Sequence, residues 1–354
     1  MKIIHTADIH LKGYGDERWE ALQKLIAIGK KERIELLLIS GDLFDRGSDA
    51  EAIRPHIRAL FSDTGFHICL IPGNHDKDSY AGGIYFGEDT VILTDPNTPF
   101  EYKDVMIWGI PFEPAEREKI LYQLHALAHR LTPGKKQIVL YHGELLDAFF
   151  SRSDFGDEGD ERYMPVRLSY FNDLKVDYVL AGHFHKRFDV WRLGQGGYFV
   201  YPGSPVSITR KETGQRRINL FELGKPPQEY LLDTPHFAEM LITCDPFADK
   251  NPLELMKERL QELPANARVL LTVTGFINGE AMGMTEEKFV EGIKKIVRDR
   301  CAEPPHYEFR DIRMILEDDL FKEFLAKLEQ TDHAEVKKGQ MREMAIRAMM
   351  GERR

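Results

Sequence analysis

Cysteine is scarce in this chain: three in 354 residues, at Cys69, Cys244 and Cys301, with no Cys-x-x-Cys pair. That scarcity excludes a disulfide framework and a thiolate zinc site, and it points to a reducing cytoplasm. Long hydrophobic runs are missing too. No stretch approaches about 18 apolar residues, and the opening MKIIHTADIH has neither a long apolar segment nor a small-residue cleavage site, so no membrane span and no secretion are expected. Excess positive charge is also absent, since 48 Lys and Arg face 58 Asp and Glu for a formal net charge of −10. A globally basic surface for a phosphate backbone is thereby excluded, and charge has to be read locally. Carboxylates that hold divalent metal lower the formal charge while building a site that draws phosphate. What is present is ordinary for a folded protein: 42% hydrophobic and 30% charged residues, with a length that suits about two domains.

Over roughly the first 230 residues, short apolar runs alternate with helical spacing, which reads as an α/β or layered-sheet architecture. Strands are expected at 2–7, 34–40, 66–71, 91–93, 105–110, 137–141 and 177–181, and helices at 16–33, 49–62 and 114–131. Ser48 and Glu51 form a capping-box signal for the second helix, which Pro55 should kink or shorten. After Lys225-Pro226-Pro227 a smaller α/β unit is expected, with strands at 236–244, 268–274 and 307–315 and helices at 252–263 and 286–300. The tail carries two apolar helical stripes: Leu320, Phe321, Phe324, Leu325 and Leu328, then Met341, Met344, Ala345, Ala348 and Met349 flanked by Arg342 and Arg347.

Clusters of Asp, His and Asn recur where successive strands should end. Asp8 and His10 follow the first strand, Gly41-Asp42-Leu43-Phe44-Asp45 the second and Gly73-Asn74-His75-Asp76 the third, while Tyr141-His142-Gly143 and Gly182-His183-Phe184-His185 follow later ones. Ligand sites form beyond the carboxyl ends of strands, so clusters far apart in sequence converge on one cleft. Asp8, His10, Asp42, Asn74, His142, His183 and His185 offer imidazole, carboxylate and amide oxygen donors without thiolate, a set suited to Mn, Fe or Zn. A bridging Asp42 would hold two ions about 3.5–4 Å apart, the separation that clamps the attacking and leaving oxygens of a phosphoester. His5, His56, His67, His125, His129, His236, His306 and His333 lack such partners and read as structural or exposed.

The order D-x-H, GDxxD, GNHD, H-G, GHxH over residues 1–225 resembles the calcineurin-like metallophosphoesterase superfamily. That resemblance implies an α/β fold of four layers, a β-sandwich flanked by helices, rather than the doubly wound sheet that the alternation alone suggests. Within the superfamily the chain looks most like the SbcD family of double-strand-break repair nuclease subunits. MKIIHTADIHL, GDLFDRG, Asp177 through Lys186 and Tyr201-Pro202-Gly203-Ser204-Pro205 carry that likeness, and Asp319 through Leu325 resembles the family's docking segment. The domains implied are a nuclease domain over 1–233, a small α/β capping domain over 234–316 and partner-docking helices over 317–354.

Carried over by motif, the resemblance implies one ion on Asp8, His10, Asp42 and His185 and another on Asp42, Asn74, His142 and His183, with manganese as the expected metal. His75 is left to protonate the leaving oxygen or stabilise the transition state, and Asp45 to orient a ligand or His75. The implied activity is exonuclease and endonuclease hydrolysis of DNA phosphodiesters beside an SbcC-like coiled-coil ATPase in the cytoplasm, the alternative being a phosphoesterase for small or nucleotide diesters. A homodimer through a helix after GNHD is part of the family pattern, yet the adjacent Gly82 and Gly83 argue against a regular helix there. Arg46, Lys186, Arg187, Arg210, Lys211, Arg216 and Arg217 are candidates for DNA contact. Asp154, Asp157, Glu158, Asp160 and Glu161 form an acidic loop expected to face away from DNA or to touch a protein partner.

Overall fold

The computed structural model describes residues 1–80, 85–115, 117–148 and 164–351. The acidic loop expected around residues 154–161 and the Gly82-Gly83 pair lie outside them. Two compact units are present, Met1–Phe237 and Ala238–Arg354.

In the first unit, β1 (Lys2–Thr6), β2 (Leu36–Ser40), β3 (His67–Ile71) and β4 (Thr90–Ile92) run parallel, and β11 (Arg217–Glu222) and β12 (Glu229–Leu231) extend the sheet antiparallel from β1, giving the order β12-β11-β1-β2-β3-β4. A second six-stranded sheet has the order β5-β6-β7-β8-β10-β9, built from β5 (Phe100–Tyr102), β6 (Val105–Ile110), β7 (Lys136–His142), β8 (Tyr178–Gly182), β9 (Asp189–Arg192) and β10 (Tyr198–Tyr201). β6, β7, β8 and β10 are parallel. Both faces of the central strands are covered, which is why they read as unbroken apolar runs rather than as alternation. Ile3, Leu36, Leu38 and Ile71 of one sheet meet Val105, Ile107, Ile138, Leu140 and Leu180 of the other in one buried layer.

Outside the first sheet lie α1 (Glu17–Glu32) and α2 (Gly47–Phe61), which contribute Trp19, Leu22, Leu25, Ile53, Ile57 and Phe61 to the core against it. Outside the second lies α3 (Arg117–Ala128), through Ile120, Leu124 and Leu127. The result is helix, sheet, sheet, helix: the four-layer sandwich rather than a doubly wound sheet. Asp16 caps α1 by accepting from Trp19 N at 2.8 Å. α2 begins at Gly47 behind Arg46 without a side-chain cap, two residues before the expected start. Pro55 does not shorten it: Pro55 and Glu51, the residue whose carbonyl loses its partner, both face solvent, where water can serve that carbonyl. After GNHD there is one 3-10 turn, Lys77–Tyr80.

The second unit is a three-stranded sheet in the order β13-β14-β15, of β13 (His236–Cys244), β14 (Ala267–Ile277) and β15 (His306–Asp311), with α4 (Pro252–Glu262) and α5 (Glu286–Val297) packed through Met256, Phe289 and Ile293. The expected last strand is shorter than its apolar run suggested: Arg313–Glu317 turns helical as α6, followed by α7 (Asp319–Glu329) and α8 (Glu335–Met349). Phe321 and Ile346 join Phe276 and Ile312 in a small core, so most of the first tail stripe packs on its own unit. The second follows it inward only in part: Lys338 and Ile346 are the buried residues of α8 and Ala345 packs on the same core, while Met344 and Met349 are exposed.

Candidate metal centre

The polar clusters occupy the carboxyl ends of β1, β2 and β3 in one sheet and of β7 and β8 in the other. Main-chain hydrogen bonds lace the first two together, with Asp8 N donating to Gly41 O at 3.1 Å and both Ile9 N and His10 N to Asp42 O at 2.9 Å. His183 N donates to the Asp8 carboxylate at 2.9 and 3.0 Å, which ties the second sheet to the first. Asp8, His10, Asp42 and His183 all take positive φ, at 54°, 51°, 51° and 99°. Such conformations are strained for residues with a Cβ and persist only where the surrounding packing dictates them. Glycine is required beside them for space. A Cβ on Gly41 would stand 2.1 Å from His142 Nδ1, one on Gly73 2.1 Å from Asp42 Oδ1, and one on Gly182 2.0 Å from Ser40 O.

Three overlapping donor groups result, each within 4.8 Å: Asp8, His10 and His185; His10, Asp42 and His75; Asp8, Asp42 and His142. Asp8, His10, Asp42, His142, His183 and His185 are buried, the two carboxylates completely. His10 Nε2 and His185 Nε2 lie 3.3 Å apart, and His185 Nε2 is 3.8 Å from Asp8 Oδ1. Asp42 Oδ2 has no hydrogen-bond partner of good geometry, although His142 Nε2 stands at 3.3 Å and His10 Nε2 at 3.7 Å. Asn74 Oδ1 is 2.8 Å from His142 Nε2, and the ring of His183 is 5.5 Å from that of His142. His142 Nδ1 donates to the carbonyl of Ser40 at 2.8 Å, which turns its Nε2 toward the carboxylates. Lone pairs of two buried carboxylates, an amide oxygen and several imidazoles thus converge on one small volume. Such a donor set fits hard or borderline divalent ions, and a buried carboxylate oxygen without a proper donor is what a cation would satisfy.

The carboxylates titrate apart. Burial holds Asp8 above the usual range, with the opposing charges of His185 and His142 too weak to restore it. Asp42 feels the same burial, but His142 and His10 outweigh it and push its carboxyl far below that range. Reciprocally, Asp42 lifts His142 to about 10 against its burial.

His75 sits beside this cluster, half-buried, its ring 4.7 Å from that of His10. Its main-chain N donates to Asp42 Oδ1 at 3.0 Å and its Nδ1 lies 3.2 Å from the carbonyl oxygen of Asp45. Because a carbonyl only accepts, Nδ1 carries the proton and Nε2 is the nitrogen turned to chemistry. The Asp45 carboxylate faces His10 instead, 3.6 Å from its Nδ1, and is anchored by Arg18 at 2.8 Å and Lys12 at 3.3 Å. Burial opposes its ionisation, but His10 and Arg18 hold its carboxyl well below the usual range.

Three buried side chains escape sequence reasoning or change role. Asp76 carries no share of the donor cluster: it accepts from Gly73 N at 2.8 Å, Phe44 N at 3.1 Å and Tyr80 Oη at 2.7 Å, stapling the third cluster to the second, and burial lifts it to about 6. Arg216 is buried against the main-chain carbonyls of Ser204 at 3.0 Å and Lys186 at 3.2 Å, so it is removed from the candidates for DNA contact. Arg217 pairs with Glu229, and Arg187 with Asp189, whereas Arg46, Arg187, Arg210 and Lys211 are exposed. Glu212 is buried beside His185. Burial pushes its carboxyl up, but the hydrogen bond and charge of His185 together with Arg216 bring it to about 2. The charged sequence around Glu212 gives no sign that it turns inward. Of the remaining histidines, His5 and His236 are buried and His56 stacks on Tyr14 with ring centroids 3.7 Å apart.

The profile of the calcineurin-like phosphoesterase family matches residues 1–187, more than half the chain. Over 228 residues the chain is 28% identical to the DNA double-strand break repair protein Mre11 of Sulfurisphaera tokodaii, covering 60% of this chain and 55% of that protein. An uncharacterized metallophosphoesterase, YhaO of Bacillus subtilis, is 23% identical over 264 residues, covering 67% and 60%. The SbcD subunit of the nuclease SbcCD from Staphylococcus saprophyticus is 25% identical over 244 residues, covering 61% and 63%. The chain therefore spans about 55–63% of the length of these relatives.

Proposed function

We propose that this chain, which belongs to the calcineurin-like phosphoesterase family, is the nuclease subunit of an SbcD-like complex: a two-metal phosphodiesterase, manganese-dependent, that cleaves DNA in double-strand-break repair. The observation that carries the reading is the convergence, from five strand ends in two sheets, of the three overlapping donor groups formed by Asp8, His10, Asp42, His75, His142 and His185. Asp8, His10, Asp42 and His185 would hold one ion, and Asp42, Asn74, His142 and His183 the other. Two divalent ions in those positions supply Lewis acidity and positive charge for phosphoester hydrolysis.

The chain's own residues do the rest. Ser40 O accepts from the Nδ1–H of His142 and so turns Nε2 inward. The Asp45 carboxylate, pinned by Arg18 and Lys12, steadies His10. With Nδ1–H committed to the Asp45 carbonyl, the imidazolium form of His75 carries its second proton on Nε2, set to be delivered to the leaving oxygen or to neutralise charge on it. The nuclease domain would comprise 1–233, a capping domain 234–316 and docking helices for an SbcC-like coiled-coil ATPase 317–354, in the cytoplasm. Met344 and Met349, exposed on α8, suit such docking. A homodimer belongs to the same proposal; among the described residues the segment after GNHD forms a 3-10 turn, Lys77–Tyr80.

Hydrolysis of end-labelled linear double-stranded DNA and of a chromogenic small phosphodiester, with Mn²⁺, tests the reading on wild type and His75→Ala. DNA degradation lost in the variant supports it. Cleavage of the small diester alone, with and without an SbcC-like ATPase, would establish the small-diester alternative in its place.

A further inference from the structure

One surface segment reaches into the metal centre from behind and is not part of any of its five motifs. Between β10 and β11 the chain folds back over His185, and Glu212 and Arg216 of that segment are both buried. Glu212 Oε1 lies 3.3 Å from His185 Nδ1 and accepts from Thr209 N and Thr209 Oγ1, each at 3.1 Å. Its Oε2 accepts from Ile208 N at 2.8 Å and Ser204 Oγ at 3.2 Å. Four donors of its own segment thus hold the carboxylate in place whether or not His185 is there. Arg216 holds the other end of the same residue, donating to the His185 carbonyl, and it also binds Ser204 O at 3.0 Å and Glu212 O at 3.4 Å.

We infer that Glu212 is a positioning residue for the metal centre: its preorganised carboxylate accepts a hydrogen bond from the Nδ1–H of His185 and so aims the Nε2 lone pair at the ion shared with Asp8 and His10. The inference rests on the two-ion reading of the site. A carboxylate can only accept here, so His185 must carry its proton on Nδ1, and the ring nitrogen 3.3 Å from His10 Nε2 is the one left to ligate. His142 has its Nδ1–H held instead by a neutral main-chain carbonyl at 2.8 Å. The two ligand sets therefore differ in kind, because an anion behind the ring makes it the more basic donor. Loss of Glu212 should be felt by one ion and not by the other.

The experiment titrates Mn²⁺ into the full chain, wild type and Glu212→Gln, by calorimetry and by the paramagnetic resonance signal of free Mn²⁺. Two equivalents should bind to the wild type, and Glu212→Gln should weaken one of them about 10- to 100-fold, the same equivalent that His185→Ala weakens, with the other unchanged. Two equivalents bound as in the wild type would overturn the inference and leave the metal reading intact. Equal weakening of both, alongside an altered near-ultraviolet circular dichroism spectrum, would overturn it as well, since Glu212 would then only support the fold. A wild type that takes up no Mn²⁺ would overturn the reading of the site and this inference with it. Long-range ¹H–¹⁵N spectra of the histidine rings in metal-free wild type need no variant to fold: His185 must be the Nδ1–H tautomer, and an Nε2–H tautomer would refute the role. Glu212→Asp, which keeps the charge and retracts it by one methylene, should fall between wild type and Gln in affinity.

Discussion

Gly41→Ala is the substitution for which the structure makes the sharpest quantitative demand. Gly41 has φ +92°, and a Cβ there would stand 2.1 Å from His142 Nδ1 and 2.7 Å from its Cγ. Gly65 has a similar φ, +81°, with nothing within 4 Å of an added Cβ. Alanine at position 65 therefore bears the left-handed strain alone, about 1–2 kcal/mol. Alanine at position 41 adds the overpacking of a buried ring, about 1–3 kcal/mol more. At about 2–4 °C per kcal/mol for a unit of this size, Gly41→Ala should melt about 2–12 °C below Gly65→Ala in a calorimetric scan. The clash has a chemical consequence also. His142 cannot keep both its bond to Ser40 O and its approach to Asp42, so Mn²⁺ binding should drop by one equivalent in Gly41→Ala and stay intact in Gly65→Ala. Equal melting temperatures and full Mn²⁺ uptake in both would show that the His142 ring is not held where the argument places it.

Further expectations rest on single groups. His5 is fully buried, and desolvation lowers its pKa to about 3 despite a raising bond to Ala181. A depressed folded-state value means its share of stability is complete above the unfolded pKa of about 6.5 and fades as pH falls toward 3, by about 2 kcal/mol at pH 5. His5→Asn should lose that much less between pH 7 and pH 5 in urea titrations, and parallel pH profiles would refute the assignment. His75→Ala should lose about 100- to 10,000-fold in Mn²⁺-supported hydrolysis, the range for a general acid, while binding Mn²⁺ as the wild type does; loss of an ion instead would make His75 a ligand. Arg216→Met strands buried carbonyls of Ser204, Lys186 and Glu212 and should cost about 2–5 kcal/mol in a thermal melt, whereas exposed Arg187→Met should cost less than about 1 kcal/mol. Equal effects of the two would mean that Arg216 is not buried.

Much of the centre is legible in the sequence because its residues follow strands buried on both faces. Such strands are unbroken apolar runs, and a charged or amide residue at their ends has no packing role to disguise it, as at Ile39-Ser40-Gly41-Asp42 and Ile71-Pro72-Gly73-Asn74. The family resemblance carried by the order of those clusters implied the sandwich, where the strand and helix alternation by itself suggested a doubly wound sheet. Short edge elements left less trace. β5 and β12 are three residues each and mostly half-buried or exposed, so neither periodicity nor hydrophobic mass marks them. Least legible were Glu212 and Arg216, set within Thr209-Arg210-Lys211-Glu212-Thr213-Gly214-Gln215-Arg216-Arg217. Composition makes that stretch a solvated basic turn. Only the closure of the segment over His185 buries two of its charges, and that closure depends on hydrogen bonds to residues far back in the chain.

The same reasoning explains why the centre tolerates so much unfavourable local structure. Four of its candidate ligands sit at positive φ, each at a cost of about 1–2 kcal/mol, and two carboxylates are buried side by side. None of this is stable as local structure. It persists because the strained turns follow directly on strands packed between the opposite sheet and an outer layer, where Leu38 and Ile39 of β2 and Leu180 of β8 have no room to shift. The glycines take the closest approaches, and Asp76, Glu212 and Arg216 supply the buried hydrogen bonds that keep neighbouring turns in register. A ligand cluster assembled from one flexible loop would relax, separating Asp8 from Asp42 and turning its imidazoles to water. Here the lone pairs stay convergent before any ion arrives, so the ordering that binding would otherwise require has already been met by folding.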